Sequence, residues 1–219
     1  MRDFVLVTGM VLETGPVNDY DRRTVILTKE RGKITAFAKG ARRLGSKLMA
    51  ATNPFSFGTF KLYEGKTAYN MLDAEISYYF EELRADFEAA YLGMYFLEFA
   101  SYYTRENNDE VQMLKLLFQS MRAIVKPSID NRLVRVVYEM KALVVNGEFP
   151  GIPTDRKLSG AAVYAVDFIV RTPVEHLYTF TVTEPVLAEL QELSDFYRRR
   201  YIDKNFKSLE MVENCMLKI

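Results

Sequence analysis

The hydrophobic pattern of this chain changes period once, near Phe80, and that change constrains the fold more than any other feature. Up to Phe80, apolar residues recur in short runs of period two broken by turn residues, as half-buried strands require. From Glu81 onward they recur at spacings of three and four, the repeat of an amphipathic helix. The expected class is therefore α+β, with a β domain over residues 1–80 followed by an all-helical domain over 81–219.

The β half divides readily. Phe4 to Leu12 reads as a strand, followed by the turn-prone Gly15-Pro16-Val17-Asn18-Asp19. Arg23 to Thr28 is a second strand, ended by Lys29-Glu30-Arg31-Gly32. In a third, Lys33 to Lys39, Ile34, Ala36 and Ala38 alternate with Lys33, Thr35 and Phe37. Phe55 to Tyr63 and Tyr69 to Glu75 follow, separated by Glu64-Gly65-Lys66. Five short strands in so small a span suggest a barrel of OB or SH3-like type. The helical half begins with Leu83, Phe87, Ala90, Tyr91, Met94 and Leu97. Further helices are expected over Asp109–Val125, Asn131–Asn146 (closed by Gly147), Ala161–Arg171, Glu184–Tyr201 (Thr183 as N-cap) and Ser208–Leu217.

Charge follows the same division. The chain is neutral overall, yet Arg22 to Lys66 carries eleven Lys and Arg against only Glu30 and Glu64. A basic block inside a balanced protein points to a polyanion met by one part of the molecule. Its sharpest piece is Ala38-Lys39-Gly40-Ala41-Arg42-Arg43-Leu44-Gly45-Ser46-Lys47, which leaves a strand, turns at a glycine and presents four cations. Such a loop suits phosphate contacts, which give affinity without sequence choice. The bland explanation is a solvated basic loop, but almost no acid stands nearby to neutralise it. Phe37, Phe57, Tyr63 and Tyr69 lie in strands among these cations, where an exposed ring would stack on a base. A small barrel also needs large residues inside. Period two says Ser56 and Phe57 face opposite ways without saying which is out.

Little supports an enzyme. His176, the only histidine, reads as a helix-end or loop residue, and Cys215, the only cysteine, as a buried thiol on an apolar helical stretch. No Gly-rich phosphate loop of Walker or dinucleotide type occurs, and the acids fall at spacings expected of solvent-facing helix positions. A single cysteine excludes an intrachain disulfide and a multi-cysteine zinc site. The start, Met1-Arg2-Asp3-Phe4, does not read as a signal peptide, and no run approaches the length of a membrane span. A soluble, intracellular protein is expected. Arg198-Arg199-Arg200, late in a helix, complement its C-terminal dipole or receive an acidic peptide tail.

The order of features resembles the RecO family of bacterial recombination mediators. The resemblance rests on Thr8-Gly9-Met10-Val11-Leu12, Asp21-Arg22 before Val25-Ile26-Leu27-Thr28, Glu30-Arg31-Gly32-Lys33-Ile34 and Ala38-Lys39-Gly40-Ala41-Arg42-Arg43. It continues with Leu62-Tyr63-Glu64-Gly65-Lys66, Leu83-Arg84-Ala85-Asp86, Glu139-Met140-Lys141 and Phe206-Lys207-Ser208-Leu209-Glu210. It implies an N-terminal OB-fold and a helical C-terminal domain. It also implies binding of single- and double-stranded DNA, strand annealing, contacts with RecR and with the acidic tail of single-stranded DNA-binding protein, and loading of RecA. Arg22, Lys39, Arg42, Arg43, Lys47 and Lys66 would be the DNA-contacting cations, with Tyr63 beside them. The cytoplasm, at the nucleoid, is the implied location. Many relatives carry a four-cysteine zinc site after the position of Gly147-Glu148-Phe149-Pro150. Here Thr154-Asp155-Arg156-Lys157 follows instead, so no cofactor is expected and packing alone should hold Pro150 to Gly160.

Two other readings compete with a DNA-binding mediator. An RNA-binding adaptor could use the same kind of barrel, since charge does not distinguish DNA from RNA. A purely structural protein with an incidental basic face would show no salt-sensitive binding at all.

Overall fold

The computed structural model describes residues 4–216, the last three by backbone alone. Strands β1 (Phe4–Val17), β2 (Asp21–Thr28), β3 (Gly32–Ala38), β4 (Phe57–Glu64) and β5 (Tyr69–Tyr78) close a barrel in the order β1-β2-β3-β5-β4. Neighbours pair antiparallel except β3 and β5, which run parallel with Ala36 opposite Tyr69 and Ala38 opposite Met71. The β1 strand serves two partners: Phe4 to Met10 pair with β4, and residues from Gly9 onward with β2, across a bulge between Val11 and Glu13. Gly9 faces Gly58 at this closure, where a Cβ on Gly9 would stand 2.3 Å from the Leu27 carbonyl oxygen. The barrel is OB-like and the class is α+β, as the change of period indicates.

Alternation sorts the barrel's faces as expected for β3, where Ile34, Ala36 and Ala38 point inward with Val7, Val11, Ile26, Phe60, Leu62, Tyr69 and Met71. Ser56 is buried and Phe57 half-buried, so the outer face of β4 carries Phe57, Thr59, Lys61 and Tyr63. Two expectations need correction. The β1 strand does not end near Leu12 but runs through Gly15-Pro16-Val17, and the turn is Asn18-Asp19-Tyr20, with Asn18 at φ 55°. Pro16 is tolerated because this half of β1 has no second sheet neighbour to need its missing N–H. The fourth strand starts at Phe57 because Phe55, at φ 74°, belongs to the preceding turn. A short helix, α1 (Leu48–Ala51), precedes that turn.

The chain forms two compact units, Met1–Leu114 and Lys115–Ile219. In the first, a 3-10 turn (Glu81–Arg84) leads into α2 (Phe87–Tyr103), whose first turn is capped by Asp86 accepting from Ala89 N. The α2 helix packs against β1, and Gly93 lets it approach Phe55, whose ring would lie 3.0 Å from an added Cβ. Lys33 donates through Nζ to the Ser101 carbonyl near the end of α2.

From α3 (Val111–Ile124) the chain enters the second unit, built from α4 (Asn131–Val145), α5 (Gly160–Arg171), α6 (Glu184–Tyr201) and α7 (Lys207–Met216). Every residue of α4 from Leu133 to Leu143 is buried. That includes Glu139, so the expectation that the acids occupy solvent-facing positions fails there. Arg135 Nε donates to Glu139 Oε1 (2.9 Å), Ser194 Oγ donates to Glu139 Oε2, and Arg135 Nη2 reaches Asp195 on α6 (2.9 Å). Lys141 Nζ donates to the carbonyls of Ile169, Val170 and Thr172, closing the end of α5. Burial holds its pKa below the ordinary lysine value. Gly147, at φ 72°, ends α4 in a Schellman arrangement, with Gly147 N bonded to Val144 O and Glu148 N to Leu143 O.

Packing does not act alone on Pro150–Gly160. Tyr197 donates its hydroxyl to Gly151 O (2.7 Å), and Ser159 N donates to Glu189. His176 ends a 3-10 turn, as a helix-end residue. The side chain of Cys215 lies outside the described residues.

Candidate nucleic-acid interface

One end of the barrel is built by two segments that the sequence separates by some twenty residues, the β1–β2 turn and the loop between β3 and α1. At Gly40 (φ 66°) the loop turns through a backbone shape that glycine adopts without strain, and Gly40 N donates to Asp21 Oδ1 (2.8 Å). Arg42 N donates to Tyr20 O (2.9 Å), and Arg42 Nη1 to Asn18 O (3.2 Å). The Arg43 guanidinium lies 5.0 Å from the centre of the Tyr20 ring, a cation–π contact. Beyond the loop, Arg22 Nη1 meets Met49 O, Thr52 Oγ1 and Asn53 Oδ1 at 2.8–2.9 Å. The adjacent residues Asp21 and Arg22 thus grip opposite ends of the cationic loop.

This frame brings Lys39, Arg42, Arg43 and Lys47 together, all exposed and none meeting a carboxylate among the described residues. Leu44, between them, is fully exposed. Such a cluster can bind phosphates. Arg22 is set apart by its internal bonds. Lys66 is exposed in the β4–β5 turn. The parallel register, with Tyr69 opposite Ala36, puts that turn level with the first part of β3, whereas Lys39 leaves from its end. Burial raises the Tyr69 phenol pKa, Glu64 adds to the rise, and Arg31 opposes it. Tyr63 lies on the outer face of β4, half-buried, opposite Phe4 and Asn70. Of the other rings singled out, Phe37 and Phe57 face outward and half-buried, while Tyr69 is 4% exposed inside the barrel.

Tyr20 is the residue that reading the strands missed. A ring in a turn has no alternation to bury it, and that was the available signal; Tyr20 is 53% exposed.

In the helical unit, Arg198, Arg199 and Arg200 separate. Arg198 pairs with Asp195 (2.9 Å) and Glu213 (3.4 Å) in the network around Arg135. Arg199 and Arg200 are exposed and line a cleft with Arg156, Glu192 and Phe196, and the Arg156 guanidinium sits 4.3 Å from the Phe196 ring centre. The segment Pro150–Gly160 offers one carboxylate, Asp155, and no thiol or imidazole, so its donors do not fit a four-cysteine zinc site. Among the described residues, no helix is long and apolar enough to cross a membrane.

Residues 1–80 match the family model described as recombination protein O N terminal, and residues 84–152 and 153–210 match recombination protein O C terminal. The chain is 25% identical to a DNA repair protein RecO of Acetivibrio thermocellus, covering 96% of this chain and 97% of that one. It is 24% identical to the protein of the same name from Clostridium novyi, over 93% and 91% of the two chains. Over a shorter stretch, 65% of this chain and 58% of the relative, it is 32% identical to DNA repair protein RecO of Alkaliphilus metalliredigens. The matched models cover the barrel and most of the helices in order: this chain belongs to the RecO family.

Proposed function

We propose that this chain is a DNA-binding recombination mediator acting in DNA repair. It performs no bond chemistry. It holds single- and double-stranded DNA at the end of the barrel and lets complementary strands meet by offsetting the repulsion between their phosphates. The observation that carries this reading is the assembly of Lys39, Arg42, Arg43 and Lys47 on a loop held at both ends by Asp21 and Arg22. The relatives' names, DNA repair protein RecO, support the same reading. Lys66 extends the DNA path along the barrel, with Tyr63 on the neighbouring outer face, and Arg22 contributes by holding the loop.

On this reading RecR and the acidic tail of single-stranded DNA-binding protein are its protein partners, and RecA is loaded downstream. Arg199 and Arg200, with Arg156 and the Phe196 ring beside them, are the receptor for the tail, while Arg198 holds the helix that presents them. The site of action is the cytoplasm, at the nucleoid.

The test is fluorescence anisotropy of labelled single-stranded DNA over a salt series, comparing the native chain with Lys39→Ala/Arg42→Ala/Arg43→Ala. With a slope of roughly −0.7 per neutralised phosphate, the triple variant should bind more weakly and flatten the log–log slope by about 2. Unchanged affinity and slope would remove DNA from this loop. Equal or tighter binding of RNA of the same length would favour an adaptor for RNA instead.

A further inference from the structure

We infer that Tyr20 is the base-stacking residue of this site and gives it a preference for unpaired strands; the inference rests on the DNA-binding reading above. The cations of the loop meet phosphates, which single strands and duplexes both offer, so charge alone cannot discriminate between them. Discrimination needs an apolar face beside those cations that an unstacked base can cover and a base inside a duplex cannot.

Tyr20 supplies that face and is held in position for it. Its backbone carbonyl accepts from Arg42 N at 2.9 Å, fixing the turn against the cationic loop. One face of its ring lies under the Arg43 guanidinium at 5.0 Å, while the residue remains 53% exposed. A base on the open face would complete a stack of guanidinium, phenol ring and base, with Arg42 and Arg43 in reach of the flanking phosphates. Because the ring is ordered before the strand arrives, little side-chain freedom is lost on binding. The strand aromatics do not combine these properties beside the loop: Tyr69 is inside the barrel, Phe37, Phe57 and Tyr63 are half-buried on its outer face, and Phe4, 52% exposed under Lys61 Nζ at 4.0 Å, lies opposite Tyr63.

The competing role for Tyr20 is a prop for Arg43, and the experiment must separate the two. Three probes of equal length serve: a single strand, a blunt duplex, and an abasic strand with the same phosphates and no bases. Each is titrated against the native chain, Tyr20→Leu and Tyr20→Phe at one salt concentration, and over a salt series. The expected result is that Tyr20→Leu loses about tenfold in affinity for the base-bearing single strand. It should keep the native salt slope and the native affinities for duplex and abasic strand, and Tyr20→Phe should bind as the native chain does. A 2-aminopurine base in the single strand should be quenched on binding the native chain and not on binding Tyr20→Leu. The inference is overturned if Tyr20→Leu binds the base-bearing strand as tightly as the native chain. It is equally overturned if the variant weakens on the abasic strand to the same extent, since the ring would then act only through Arg43. Loss of salt-dependent binding to all three probes by the native chain would be a different failure, removing the DNA-binding reading and this inference with it.

Discussion

On the barrel, Lys39, Arg42, Arg43 and Lys47 stand exposed with no carboxylate beside them among the described residues, whereas in the helical unit Arg132, Arg135 and Arg198 are each held by at least two acids. Lys and Arg equal Asp and Glu across the whole chain, so composition does not distinguish these uses. What separates them is neighbourhood. A cation whose surroundings hold no acid keeps its field for a ligand. One placed between helices gives its donors to carboxylates, and the chain needs it for packing. The barrel itself contains both kinds. Arg22 and Lys33 belong to the basic block, yet each donates to backbone carbonyls and fastens a neighbouring segment.

The largest expected effect tests the structural half of this contrast. Glu139→Ala leaves Arg135 buried without the most deeply buried of its carboxylate partners and should destabilise the helical unit by about 3–5 kcal/mol in chemical denaturation. DNA affinity of the folded variant should not change. If that affinity fell while stability held, the division of labour between the two sets of charges would be wrong. Next in size is Arg22→Ala, which removes a charged donor from Met49, Thr52 and Asn53 and should cost about 2 kcal/mol of stability. Its salt slope should stay near the native value, unlike that of the triple loop variant, because Arg22 holds the loop. A slope flattened by a full contact would make Arg22 a phosphate ligand after all.

Lys66→Ala sharpens the comparison within the barrel. It should leave stability alone and flatten the single-strand slope by roughly 0.7, additively with the loop variants. Smallest is a pH effect in the helical unit. Hydrogen bonds from the Arg132 side chain, more than any other contact, hold the Asp130 carboxyl below its ordinary pKa. A carboxylate with a lowered pKa in the folded state stabilises above the unfolded value, and that contribution is lost as pH falls through the folded one. Asp130 caps α4, accepting from Arg132 N at 2.8 Å, and Asp130→Asn keeps a capping oxygen while removing the charge. It should therefore be less stable than the native chain near neutrality, with the gap closing as acid titrates Asp130, measured by thermal unfolding across a pH series. A gap independent of pH would show that the carboxylate's charge is not what stabilises there.

Much of the architecture is legible in the chain because it depends on local periods. Ile34, Ala36 and Ala38 declare the inner face of β3 by alternation, and Gly147 marks the end of α4 through its backbone shape. Local reading fails where the deciding partner is distant in sequence. Pro16 reads as a turn residue until β2 is seen to pair along it, and Glu139 reads as a surface acid until Ser194 and Arg135 close around it. The candidate site divides likewise. The cations of the loop are visible as a run, but the grip of Asp21 and Arg22, and the ring of Tyr20 beside Arg43, appear only when two segments meet.

By itself, then, the sequence determined the β-then-helix order, the inner face of β3 and the concentration of positive charge, because hydrophobic period and charge are properties of neighbours along the chain. Only the tertiary structure decided which cations remain available and which fasten the fold. It alone set the ring of Tyr20, in a turn, against Arg43 of the loop and left Phe37, Phe57 and Tyr63 half-buried in the strands. That choice depends on barrel closure, which sets the distances between residues that the chain keeps apart and so decides whether a charge finds a carboxylate, a carbonyl or solvent.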